Sequence, residues 1–336
     1  MITILQRRSS RFDSGSARRT EVIFLNIYNS SENSSPTATL LGLVALLIWS
    51  SSVAFSKSLS QQIGPMTAAA SVYFTAGVLG IVIQALTQQK MPRASRTVPL
   101  AYWLGGGVCF ILYYFGLFTA LGLASNAQQV MEVTLVNYMW PSLTIALSVP
   151  ILHRHARSWL IPGMLLTLAG IALGLFPNNG QGYSLEVLRL NLRHHWAPYL
   201  IMGIGAAGWA LYSNLSRRYG VNGGTILPFF LLATGCVMIP LRFAFHETTI
   251  WTVRALWEFG FMTIFVALLG NLFWNFAMRR GNLTLVSLAA YFTPILAILF
   301  NGLYLRIGLS WNLCLAGLLV IAGAILCKVS IKESSG

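Results

Sequence analysis

This sequence predicts an all-α integral membrane protein of ten transmembrane helices, arranged as two inverted five-helix repeats around a central cavity. Three observations carry that prediction. Of 336 residues, 56% are hydrophobic and 9% charged, against roughly a quarter charged in soluble domains. The apolar residues fall into ten runs, each near the ~20 residues a helix needs to cross a hydrocarbon core of ~30 Å. Motifs in the first five runs then return, in the same order, in the last five.

The runs lie at about 39–57, 66–86, 100–123, 127–149, 159–176, 198–215, 224–241, 258–278, 283–304 and 310–328. In lipid every backbone polar group must be paired within the protein, and the runs lack the alternation of a barrel strand, so each reads as a helix. Residues 1–36 are polar, rich in Ser and Arg, and carry no apolar signal-peptide core, which predicts a disordered cytoplasmic tail. The first repeat is then 37–177, a connecting loop 178–197, the second repeat 198–329, and a cytoplasmic C-terminal tail 330–336.

A net charge of +14 raises the possibility of nucleic acid. The placement of the charge gives a better account. With the N-terminus in the cytoplasm, 16 of the 22 basic residues fall on that side and 6 on the other, and without the five in the N-terminal tail the split is still 11 to 6. The positive-inside rule therefore places both termini in the cytoplasm. Bases that border spans, instead of clustering on one folded face, argue against a nucleic-acid partner.

The repeats can be followed element by element. The first span has Trp49 and Lys57 eight residues apart, and the sixth has Trp209 and Arg217 at the same spacing. Thr67 and Gly77 in the second span match Thr225 and Gly235 in the seventh. Tyr138 stands three before Pro141 in the fourth, and Tyr291 three before Pro294 in the ninth. The fifth opens Ser158-Trp159 and the tenth Ser310-Trp311, with Gly163/Gly170 and Ala316/Gly323 each seven apart. Five is an odd number of crossings, so the second copy enters upside down; such inverted repeats are the layout of many secondary transporters, with a site near the midplane. The halves differ between Ala120 and Pro141, 21 residues, and between Ala277 and Pro294, 17 residues. The extra stretch is Ala124–Glu132.

The polar residues inside spans are the candidates for chemistry. Pro141 and Pro294 are expected hinges, each freeing the carbonyl four residues earlier, Asn137 and Ala290. Glu132 is the one carboxylate well inside an expected span, fit to bind an amine, carry a proton, or be held by Gln128 one turn before. Trp49, Tyr73, Tyr113, Tyr114, Tyr138, Trp140, Trp209, Tyr212, Trp274 and Tyr291 lie deeper than an interfacial belt, and as a set they suit flat apolar groups or cations held over ring faces. Lys57 and Arg217 end matched spans on opposite faces; they either snorkel to headgroups or guard vestibules. Gly105, Gly106, Gly107, Gly203, Ala207 and Gly208 read as close-packing positions.

Enzyme chemistry finds little support. The expected topology puts His153 and His155 across the membrane from His194, His195 and His246, so they make no joint metal site. Cys109, Cys236, Cys314 and Cys327 show no paired spacing and read as packing residues. There is no phosphate loop, carboxylate pair or nucleophile elbow. No cofactor and no metal are expected.

Two inverted five-helix halves with Tyr-x-x-Pro in the fourth and ninth spans resemble the drug/metabolite transporter superfamily and its EamA-type repeats across residues 39–328. LLIWSS at 46–51, GPMTAAASVY at 64–73, MEVTLVNYMWPSLT at 131–144 and SLAAYFTPIL at 287–296 are similar, more narrowly, to YddG-type aromatic amino acid exporters of bacterial inner membranes. That resemblance implies export of Phe, Tyr and Trp by alternating access, through a cavity lined by Trp49, Tyr114, Tyr138, Trp140 and Trp209. With the neighbouring polar and aromatic positions, the expected substrate-binding set is Trp49, Tyr113, Tyr114, Glu132, Asn137, Tyr138, Trp140, Trp209, Tyr212 and Tyr291. Stacking would fall to Tyr138 and Trp140, hydrogen bonds to the zwitterion to Asn137, and the amine or a proton to Glu132. The expected partners are a small-molecule substrate and the lipid bilayer, the chain acting as a monomer. Export of planar organic cations or other metabolites, and a non-transport scaffold, remain open readings at this point.

Overall fold

Two prolines and a glycine shape the first hairpin. In the computed structural model, which describes residues 35–87, 98–174, 185–219, 223–306 and 311–331, α1 (Pro36–Ile63) starts with Ser35 Oγ accepting from the Ala38 amide at 3.3 Å. Pro36 and Pro65 sit in first turns, where a missing N–H costs nothing. Between α1 and α2 (Pro65–Leu86), Gly64 takes φ +88°, which a side chain would strain. The orphan amides of Met66 and Thr67 donate to the two oxygens of Glu247, both at 2.7 Å, so a carboxylate 180 residues away caps the positive end of α2.

The remaining helices follow in order: α3 (Leu100–Leu123), α4 (Ala127–Asn137), α5 (Trp140–Leu152), α6 (Leu160–Gly174), α7 (Leu185–Arg218), α8 (Gly223–Ala244), α9 (Val253–Phe261), α10 (Gly270–Arg280), α11 (Leu283–Ala290), α12 (Thr293–Tyr304) and α13 (Trp311–Ser330). Met262–Leu269 is π-helical and joins α9 to α10. Helices or helix pairs coincide with all ten expected spans, the fourth being α4–α5, the eighth α9 to α10, and the ninth α11–α12. Seven of these spans are long and apolar enough to cross a bilayer as they stand, and α6 and α12 are shorter apolar helices. The expected loop 178–197 is different in its second part: α7 already begins at Leu185 and kinks at His195 before entering the sixth span. The expected N-terminal tail, as far as residue 34, lies outside the described residues.

The exterior is apolar, with Leu40, Leu86, Leu104, Ile161 and Trp311 among its exposed side chains, while Ser50, Thr134, Asn214 and Asn301 are buried. That inversion of the soluble pattern fits a bilayer solvent. Inside, α1 packs on α10 and α12, and its counterpart α7 packs on α3 and α5. These are two bundles of three spans each. The pairs α2·α8 and α6·α13 run between the halves.

Matched small residues carry two of the contacts between the halves. A Cβ on Gly77 would stand 2.6 Å from Leu232 Cα, and one on Gly235 2.6 Å from Phe74 Cβ. Across α6 and α13, a Cβ on Gly163 would stand 3.0 Å from the Gly323 carbonyl oxygen and one on Gly170 2.9 Å from that of Ala316. Each contact returns with its partners exchanged, as a two-fold axis requires. Small residues allow such approach where no hydrophobic drive exists between helices in lipid.

Candidate functional site

The prolines bend their spans at short turns that interrupt the α-helical hydrogen bonding. α4 ends at Asn137 and α5 starts at Trp140, with Pro141 in its first turn; α11 ends at Ala290 and α12 starts at Thr293, with Pro294 in its first turn. The connecting turns carry matched bonds, Met139 N–H to Val136 O at 3.1 Å and Phe292 N–H to Ala289 O at 3.0 Å. The Ala290 carbonyl is not left free, because Thr293 Oγ1 donates to it at 2.6 Å. Two short non-helical joints therefore lie at mid-span, related by the repeat.

Around the first joint gathers an aromatic wall. Phe110, Tyr113 and Tyr114 share one face of α3, at i, i+3 and i+4. Trp209 and Tyr212 face them from α7. Ring centroids separate by 4.8 Å for Tyr113–Trp209, 6.3 Å for Tyr114–Trp209, 5.4 Å for Trp209–Tyr212, 5.2 Å for Phe110–Tyr212 and 6.4 Å for Trp140–Trp209. Backbones come this close because Gly116 and Gly208 lack side chains, whose Cβ atoms would stand 2.9 Å from the carbonyls of Ile201 and Cys109. Tyr113, Tyr114, Trp140, Trp209 and Tyr212 stay half-buried while packing on buried core. Tyr138 is buried in the joint, and Asn137 lies beside Tyr113 with a buried Oδ1 that has no hydrogen-bond partner among the described residues.

Three of the sequence-selected residues stand apart. Trp49, on α1 of the opposite bundle, packs tilted against Trp274 with ring centroids 5.3 Å apart and donates its indole N–H to Val266 O in the π-helical stretch at 3.3 Å. Tyr291 lies under Lys328, whose Nζ is 5.9 Å from its ring. Glu132 is buried and accepts from the Tyr199 hydroxyl on α7; it lies five positions before Asn137, roughly 7.5 Å along the helix axis. The side chain of Gln128 lies outside the described residues.

Sequence reasoning missed a second buried carboxylate. Glu258, 0% exposed, accepts from Ser58 Oγ at 2.7 Å, Tyr304 OH at 2.6 Å, Gln62 Nε2 at 2.9 Å and Arg254 Nε at 2.7 Å. Its place at the edge of the expected eighth span hid it; the Arg254–Glu258 spacing of four was the readable signal. Lys57 does not snorkel to the headgroups. It is 5% exposed and donates to the carbonyls of Leu121 and Ala124, at 2.9 and 2.7 Å.

Paired bundles related by a two-fold, mid-span helix breaks and a half-buried aromatic wall define a multi-pass membrane protein with the layout of a secondary transporter. The sequence pattern of the EamA-like transporter family matches residues 36–176 and again 196–328. The chain belongs to that family. It is 32% identical over 317 residues to the aromatic amino acid exporter YddG of Escherichia coli (strain K12), covering 88% of this chain and 98% of that protein. The protein of the same name from Salmonella typhimurium is 31% identical, covering 89% and 99%, and that from Ancylobacter novellus 28%, covering 87% and 96%. A solved structure described as "Crystal structure of protein" superposes with a TM-score of 0.61 at 26% identity, over 88% of this chain and 98% of that one.

Proposed function

We propose that this protein exports aromatic amino acids across a bacterial inner membrane by alternating access, with both termini in the cytoplasm, and that it is a carrier and not an enzyme. The observation that carries the reading is the half-buried ring set around Trp209, in a chain about one-third identical over nearly its whole length to proteins named for that activity. Rings presented edge-on and tilted offer a flat apolar side chain several T-shaped or offset contacts, each worth ~0.5–1.5 kcal/mol beyond area burial. Tyr113, Tyr114, Trp140, Trp209 and Tyr212 supply that wall, with Tyr138 backing it and Trp49 on the opposing bundle. Asn137 presents an unpartnered buried oxygen suited to an ammonium. Glu132, held by Tyr199, supplies negative charge farther along the path, and Tyr291 stands in the second joint beside Lys328. All of these residues belong to one chain, so a monomer suffices.

The test is uptake of labelled Phe into liposomes holding the purified protein, with excess Trp, amine-blocked Phe, paraquat or Ala as competitors. Saturable uptake inhibited by Trp and unaffected by Ala is the expected result, and insensitivity to the blocked amine marks recognition of the zwitterion. Transport of paraquat without Phe flux would replace this reading by export of planar cations.

A further inference from the structure

Among the described residues, the two bundles pack together more on one face of the molecule than on the other. Call the face where α1 begins the near face. On the far face α1 packs on α3 and α4 on α12, around the buried side chains of Val53, Leu121, Val130 and Ala297, and Asn301 Nδ2 donates to Thr134 Oγ1 across the seam at 2.9 Å. The repeat-related pairs on the near face, α7 with α10 and α5 with α11, make no comparable packing among the described residues.

Lys57 sits in the closed seam. It belongs to α1, and the two carbonyls that hold its ammonium belong to the last turn of α3 and the residue after it, in the other bundle. The partial negative charge at a helix C-terminus makes that a cation site. Its repeat mate is Arg217 on α7, which is exposed. The landing place for that mate exists in the same form: Ala124 N–H bonds Ala120 O at 3.0 Å to cap α3, and Gly281 N–H bonds Ala277 O at 2.8 Å to cap α10, both cap residues being extended. The carbonyls matching Leu121 and Ala124 are those of Met278 and Gly281.

We propose that Lys57 and Arg217 are alternating latches: Lys57 on the end of α3 closes the far face in the state seen here, and Arg217 on the end of α10 closes the near face when Lys57 is released. The proposal rests on the transporter reading and needs no particular substrate. A buried ammonium whose partners lie across a moving seam is bistable by construction. Docked, it exchanges hydration for carbonyls; undocked, it regains water.

The test places spin labels at Leu123→Cys and Leu303→Cys, exposed positions near the far ends of α3 and α12, in a background with the four native cysteines replaced, and measures their distance distribution in lipid nanodiscs without substrate. The parent should show a dominant short distance. Lys57→Met should raise the long-to-short ratio by on the order of tenfold, ~1.4 kcal/mol, and Lys57→Arg should recover part of the short population. Arg217→Met should shift the ratio the opposite way. An unchanged distribution in folded Lys57→Met, or a shift in the same direction in both variants, overturns the latch pair. If Lys57→Met does not yield folded protein, Arg217→Met decides alone: loss of the long-distance population supports the proposal, and no change or a gain refutes it. Absence of Phe transport would sink the substrate reading and leave these distances untouched.

Discussion

Replacing Glu258 by Gln keeps the shape of the side chain and removes its charge, so the loss reads the worth of the carboxylate itself. Ser58, Tyr304 and Arg254 donate to Oε1 and Gln62 to Oε2. A hydrogen bond to a charged group contributes ~1.5–3 kcal/mol against ~0.5–1.5 for a neutral one, so each bond the amide retains weakens by about 1 kcal/mol. The Arg254 side chain is 59% exposed, and its share is screened to a fraction of that. The new NH2 also faces the Gln62 amide, and Gln62 turns its oxygen inward only by giving up the bond from Thr252 Oγ1 at 2.6 Å, about 1 kcal/mol more. The total is ~3 kcal/mol, a drop in melting temperature of about 5 °C for a chain of this size, read by thermal unfolding in detergent. Tyr304→Phe should cost ~1.5–3 kcal/mol alone, and the double variant less than the sum, because the hydroxyl and the carboxylate form one network. A Glu258→Gln protein melting within a degree of the parent, or strict additivity in the double variant, refutes the reasoning.

Four further outcomes follow from contacts already described. Gly77→Ala should destabilise by ~1–3 kcal/mol through overpacking against Leu232, whereas Gly203→Ala, with nothing within 4 Å of its Cβ, should leave the same melt unchanged. Trp209→Ala should raise the Phe concentration for half-maximal uptake by about 10- to 100-fold, matching ~1–3 kcal/mol of lost ring contacts, and Trp209→Phe should restore most of it. Asn126→Ala removes the oxygen that accepts from Gln129 N at 2.8 Å and should cost about 1 kcal/mol in the melt. Tyr199→Phe takes one donor from buried Glu132 and should cost ~1–3 kcal/mol by the same measurement.

Hydropathy and spacing made the fold legible because lipid leaves one backbone solution per span, and the repeat was legible because its matched glycines carry the two-fold contacts themselves. Gly77 and Gly235 are each small for the same reason, a neighbouring backbone that leaves no room for a side chain. The aromatic wall was legible in part. Tyr113, Tyr114, Trp140, Trp209 and Tyr212 were chosen as rings inside spans, and they do converge, but Phe110 at the base of the wall looked like ordinary lipid-phase composition. Glu258, Tyr199 and the carbonyl seat of Lys57 were hidden for another reason. Each is defined by a partner 60 to 200 residues away, and no local pattern encodes which helix end a side chain will meet.

The two bundles are alike in backbone and unlike in what they present to each other. Trp209 and Trp49 are repeat mates, and so are Tyr113 and Gly270. In one bundle Tyr113 lies with its ring centroid 4.8 Å from that of Trp209; in the other, a Cβ on Gly270 would already stand 2.7 Å from Trp49 Nε1. Filling both positions with rings would build matching walls and leave less space between them. The missing side chain at Gly270, with the adjoining stretch turned π-helical so that Val266 O can take the Trp49 indole, lets Trp49 lie against the α10 backbone where its mate Trp209 meets a ring. Gly270→Tyr should therefore displace the Trp49 indole from Val266 O and lower the stability by ~1–3 kcal/mol through overpacking. A folded Gly270→Tyr protein that melts with the parent would show that the Trp49 seat against α10 carries no weight.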